Sequence, residues 1–285
     1  MEPYEVYALK YADHPNRPAA NNFISHDDHD GTMPIDYFVW LIKQASRHWI
    51  VDTGFSRQAG ESRGRRFLAC PGDTLKAMGV DPEGISDVII THMHYDHCGN
   101  HHLFGDARFH LQDREIAYAT GRCMCFKSMR EAYDEEDVVT MVRRVHRGKA
   151  VFHDGDEEIA AGLSLHRIGG HTMGLQSLRI HTRKGWLVLA SDAAHLYAHM
   201  EQSRPFPIVY NVADMLEGHQ RLYGLASSPD LVIPGHDPLV MKKYPARHPG
   251  TKRLAVRHPG AKRLGVRPPG RSQHQLIMLC LQERS

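Results

Sequence analysis

Residues 91–100 read THMHYDHCGN and place His92, His94, Asp96 and His97 within six positions. The preceding run SDVIITH (86–92) is apolar and β-branched, which predicts a buried strand with a polar exit. Where a strand ends the chain turns, and side chains one and two residues apart can converge on a point. Imidazole nitrogens and a carboxylate are the donors that zinc prefers. The spacing H-x-H-x-D-H is far more specific than a lone H-x-H. A solvated surface cluster is the competing reading, because the chain holds 22 histidines.

Three remote features favour the metal. IGGHTMGLQSL puts His171 in a glycine-flanked turn, VLASDAAH ends an apolar run on Asp192, and VIPGHDP ends another on His236. A lone histidine is more often a satisfied polar residue than a ligand. Here every candidate falls at the carboxyl end of an expected buried strand. Four such ends would bring seven donors to one sheet edge, too many for one tetrahedral zinc and suited to two metals sharing a carboxylate.

The rest of the chain supplies strands in runs with helices between the runs. Residues 37–51 (YFVWLIKQASRHWIV) predict two strands about a polar turn, and 107–112, LSLHRIGG, QSLRIHT, GWLVLASD and 230–237 predict further strands. Helices are expected over 72–80, from DREIAYAT, over 134–146 and over 212–226. The 134–146 helix starts on acids and ends on bases, complementing its dipole. Such an order points to packed sheets with helices outside.

At 41% hydrophobic and 24% charged, the 285 residues can bury a sizeable core. Residues 238–285 carry 11 Lys/Arg and one acid, leaving 24 bases and 32 acids in the body. An acidic body argues against nucleic acid as a partner. From residue 247 a ten-residue repeat runs RHPGTKRLAV, RHPGAKRLGV, RPPGR. It has too little apolar surface to offset its ordering entropy, so the expected division is a folded domain over 1–245 and a disordered basic tail over 246–285. No run reaches the roughly 18 apolar residues of a membrane span, and the N-terminus lacks a signal-peptide pattern. Five scattered cysteines do not suggest a disulfide framework. A cytoplasmic protein is the expectation.

The ligand pattern, with its late PGH, resembles the metallo-β-lactamase superfamily over roughly residues 36–240. That resemblance implies an α+β fold, the αββα sandwich of the metallo-β-lactamase type, holding two Zn2+ per chain. His92, His94 and His171 would hold the first zinc, Asp96, His97 and His236 the second, and Asp192 would bridge. The wording of residues 91–119, together with GGHTMGLQSL, SDAAH and PGHDPLV, is similar to the N-acyl homoserine lactonases. The family implies a hydrolase that opens the lactone ring of bacterial quorum-sensing signals by attack of a metal-bridging hydroxide. Asp96 would shuttle the proton to the leaving oxygen. QDREIAYATGRCMCF is similar to the stretch that lines the acyl-chain pocket in that family.

One position departs from the pattern. The family carries a tyrosine three residues after the bridging aspartate, where it assists the substrate carbonyl. Here His195 stands there, with Tyr197 two residues on, and either could donate to a developing oxyanion. Asp52 of VDTGF could orient a metal-bound histidine or simply cap its own turn. His101, His102, His110, His153, His166 and His181 are read as ordinary polar residues. The alternatives are a thioester or other ester hydrolase of the glyoxalase II kind, or a non-catalytic metal-binding protein. Acyl-chain preference, native metal and oligomeric state stay open.

Overall fold

The computed structural model describes residues 1–25, 27, 29–244 and the backbone of 278–280. Two sheets lie face to face. The first contains β1 (Glu5–His14), β2 (Ile35–Gln44), β3 (Arg47–Val51), β4 (Arg66–Phe67), β5 (Asp87–Ile89), β6 (Arg108–Gln112) and β7 (Ala150–His153). The second contains β8 (Glu157–Ala160), β9 (Leu163–Arg167), β10 (Gln176–Thr182), β11 (Gly185–Ser191) and β12 (Val232–Pro234), in the order β12-β11-β10-β9-β8. A short strand, β13 (Met278–Cys280), pairs antiparallel with residues 7–9 of β1 and heads the first sheet, ordered β13-β1-β2-β3-β5-β6-β7 with β4 also on β1. The expected boundary at 245 and the disordered tail otherwise fall outside the described residues.

The helices are α1 (Arg57–Ser62), α2 (Pro71–Ala77), α3 (Asp113–Ala119), α4 (Lys127–Arg130), α5 (Glu135–His146), α6 (Tyr197–Glu201), α7 (Val212–Leu225) and α8 (Leu239–Lys243). The strand period of two explains the layers. Along β2, Phe38, Trp40 and Ile42 face the second sheet's leucines, Leu165, Leu178 and Leu189 among them. The alternate residues Tyr37, Val39 and Leu41 join Leu75 of α2, Tyr118 of α3 and Met141 of α5 in a separate core. A sheet buried on both faces reads as a continuous apolar run, and YFVWLI is one. The outcome is the αββα sandwich.

Sequence patterning locates α2, α3, α5, α7 and most strands, but it misses the short α1, α4, α6 and α8 and leaves residues 5–14 unassigned. They form the ten-residue β1, paired with residues 35–43 of β2. Strands β3, β5 and β6 run parallel, as do β11 and β12. Strand β9, antiparallel to β10 like β11, runs the same way as β11, so the carboxyl ends of β5, β9, β11 and β12 meet at one edge of the sandwich, where the candidate donors lie, with the end of β3 beside them.

Candidate metal centre

Seven side chains converge at that edge, six of them buried and Asp96 partly exposed. His92 Nε2, His94 Nδ1 and His171 Nε2 form a triangle with sides of 3.1, 3.2 and 2.9 Å. Ligands at zinc–nitrogen distances of ~2.0–2.1 Å in a tetrahedron stand about 3.3 Å apart, so these three nitrogens fit one ion. A second group is His97 Nε2, His236 Nε2 and Asp96 Oδ2, the carboxylate oxygen 3.7 Å from each nitrogen. Asp192 spans the two. Its Oδ1 lies 3.4 Å from His97 Nε2 and 3.0 Å from His236 Nε2, while Oδ2 lies 3.4 Å from His171 Nε2 and 3.8 Å from His92 Nε2.

A family model, the metallo-beta-lactamase superfamily, matches residues 34–256. The chain belongs to that superfamily. Among curated relatives, it is 28% identical over 210 residues to an N-acyl homoserine lactonase of Bacillus sp., covering 66% of this chain and 78% of that one. It is 32% identical over 133 residues to an N-acyl homoserine lactonase of Bacillus cereus, and there the match spans about half of each protein, 46% and 48%. A crystal structure of a quorum-quenching N-acyl homoserine lactone lactonase superposes with a TM-score of 0.70 at 21% identity, over 85% of this chain and 96% of that one. A dizinc quorum-quenching lactonase in complex with its product superposes with a TM-score of 0.65 at 16% identity, over 82% and 88%. These likenesses show the fold.

In this member of the metallo-β-lactamase superfamily, the donor set fits metal on its own chemistry. His97 Nε2 and Asp192 Oδ1 are buried without a hydrogen-bond partner, and orphaned polar atoms inside a protein call for a ligand. The far nitrogens are engaged. His97 Nδ1 donates to Asp52 Oδ2 at 2.7 Å, His171 Nδ1 to the Ile208 carbonyl at 2.6 Å and His236 Nδ1 to the Asp36 carbonyl at 2.7 Å. His92 Nδ1 lies 3.2 Å from Thr91 Oγ1. Each such bond keeps the proton on Nδ1 and turns the Nε2 lone pair inward. Burial, with the neighbouring imidazoles, pushes His92 and His94 well below the ordinary histidine range, which favours the neutral ligand form. Burial opposes charge on Asp192 too, but His236, His97 and His195 outweigh it and hold the carboxyl well below its usual range.

The superfamily fold treats the two candidate helpers differently. His195 sits in the cluster, its Nε2 2.8 Å from Asp192 Oδ2. Tyr197 does not reach it. It opens α6 and packs elsewhere, with Lys243 Nζ 3.5 Å over its ring and its amide donating to Asp237 Oδ2. Asp52 takes the orienting place, capping Thr91 N and holding His97 at once.

Sequence reasoning missed Glu115. This fully buried carboxylate accepts from Met93 N, Thr172 Oγ1 and Gly174 N, clasping the 91–97 loop to the His171 loop. Nothing in DREIA marks a glutamate whose partners lie 22, 57 and 59 residues away. His110, His153 and His166 stay outside the centre. Their partners come from elsewhere in the sheets: Asp87 and His153 for His110, Glu157 for His153, Asp156 for His166.

Proposed function

We propose that this chain is a dinuclear zinc hydrolase that opens the lactone ring of N-acyl homoserine lactones. The observation that carries the reading is the Asp192 carboxylate, with one oxygen toward each ligand group. In this reading His92, His94 and His171 hold one ion, Asp96, His97 and His236 the other, and Asp192 is shared. Zinc bound there supplies a Lewis acid and a water nucleophile active near neutral pH. Water adds to the lactone carbonyl, the ring C–O bond breaks, and the ring oxygen takes a proton to leave a hydroxy acid. Asp96, partly exposed while the other six donors are buried, delivers that proton.

The choice of lactone rests on the relatives, supported by the surroundings of His94. The Tyr133 ring packs edge-on to His94 at 4.6 Å. Tyr133 also lines a cavity of about 500 Å³ with Ala119, Met124, Val138 and Val139. Arg63, Lys127, Arg130, Glu131 and Glu135 share the lining, and the apolar part, beside the proposed reaction centre, would take an acyl chain.

The test is a substrate panel. The zinc-loaded protein is given acyl homoserine lactones of several chain lengths, S-lactoylglutathione and nitrocefin, and hydrolysis is followed by proton release. Turnover of the lactones is expected, whereas turnover of the thioester alone would make it a glyoxalase II-like enzyme. His97→Ala and Asp192→Ala are each expected to lower zinc content and abolish activity, and full activity in either would exclude the site.

A further inference from the structure

His195 stands three residues after Asp192, and its surroundings restrict what it can do. It is buried, and its ring stacks on Phe206 with centroids 3.6 Å apart and planes at 18°. The His236 edge meets the ring at 5.0 Å. The backbone is held as well, since the His195 carbonyl accepts from His236 N and the Ala194 carbonyl from Gly235 N. The imidazole therefore has little freedom to swing toward a substrate.

Its Nε2 lies 2.8 Å from Asp192 Oδ2. A carboxylate offers only acceptors, so Nε2 carries the proton and donates. That nitrogen is then neither a lone-pair ligand nor a free donor for a carbonyl. Without this bond only the ligand histidines around it would resist rotation of Asp192 about its Cβ–Cγ axis, a rotation that presents one oxygen, or both, to a single ligand group.

We propose that His195 is a positioning residue. Its Nε2–H pins Asp192 Oδ2, keeping that oxygen toward His92 and His171 and the other toward His97 and His236, so that one carboxylate serves two ions. The proposal rests on the dinuclear reading and goes beyond it by removing His195 from direct work on the substrate.

The experiment compares His195→Phe, His195→Gln and wild type, each loaded with cobalt(II) as full-length protein. Phenylalanine keeps the stack on Phe206 and deletes the donor, while the glutamine amide places an N–H close to where Nε2 stood. Metal retention is measured by chelator competition, and coordination by the visible cobalt spectrum. For His195→Phe, one of two cobalt equivalents is expected to leave at roughly 10- to 100-fold lower chelator concentration, with an altered spectrum. For His195→Gln, both retention and spectrum are expected to return. If His195→Phe folds poorly, His195→Asn, too short to reach Oδ2, gives the same reading. Wild-type retention and spectrum in the Phe or Asn variant, with loss of kcat alone, would overturn the proposal and make His195 a catalytic donor. Failure of Gln to rescue would also overturn it. Wild-type protein that binds fewer than two cobalt ions would sink the dinuclear reading itself, and the proposal with it.

Discussion

Thr91 shows how much one hydroxyl can organise. Its Oγ1 donates to Asp52 Oδ2, accepts from Ser191 Oγ at 2.8 Å and lies beside His92 Nδ1. Asp52 in turn holds His97. A single relay thus links a histidine of each ligand group and the residue before Asp192. Asp52 and Ser191 reach it from left-handed backbone, φ +62° and +49°, a conformation that costs a non-glycine residue of order 1–3 kcal/mol unless its surroundings hold it. Asp52→Ala is expected to weaken metal binding about 10- to 100-fold, read by chelator competition. Thr91→Val should follow in the same direction, and wild-type affinity in both would show that the relay does not orient the ligands. None of these bonds is legible in the spacing of THMHYDH, because each partner lies 39 or more residues away or depends on which way a ring is turned.

At the level of elements, the loops at the strand ends are held by close backbone approach. Gly99 sits against the 52–55 turn, where a Cβ would meet the Gly54 carbonyl oxygen at 2.3 Å. Thr53 N donates to the His97 carbonyl, Thr53 Oγ1 to the Gly99 carbonyl, and Asn100 Nδ2 returns a bond to Thr53 O. Gly99→Ala would push these turns apart, at a cost of about 1–3 kcal/mol, the usual range for overpacking. A lower unfolding midpoint together with reduced zinc content is expected, and an unchanged midpoint would show that the turn yields freely. Gly174 plays the same part opposite α3, its Cα facing the Glu115 backbone. Periodicity reveals an element but not its neighbour. It therefore located α5, with its acidic start and the Asp134 side chain capping Glu136 N, yet missed β1, whose meaning depends on β2 beside it.

For the molecule as a whole, buried neutral histidines set the acid limit of stability. Burial, then Arg144, lowers His101 to about 3, and burial lowers His199 to about 4 despite its bond to the Asn22 carbonyl. Both are neutral when folded and titrate near 6.5 when unfolded. Their contribution is complete above pH 6.5 and is lost as pH falls through 6.5 toward the folded values, at roughly 1.4 kcal/mol per pH unit for each histidine. The urea midpoint should fall between pH 7.5 and 5, and His101→Gln should flatten that slope by about one proton; a midpoint independent of pH, or an unaltered slope, would contradict this. From the sequence by itself came strands in runs with helices between them and a donor pattern that resembles the metallo-β-lactamase superfamily, and it was that resemblance that implied the αββα sandwich. Strand alternation and donors at strand ends are local patterns, written within a few residues of one another. Only the tertiary structure decided that Asp192 faces both ligand groups, that His195 lies against it while Tyr197 turns away, and that Glu115 clasps two loops. Those relations join atoms up to 100 residues apart, and they exist only once the two sheets are packed and bring four strand ends to one edge.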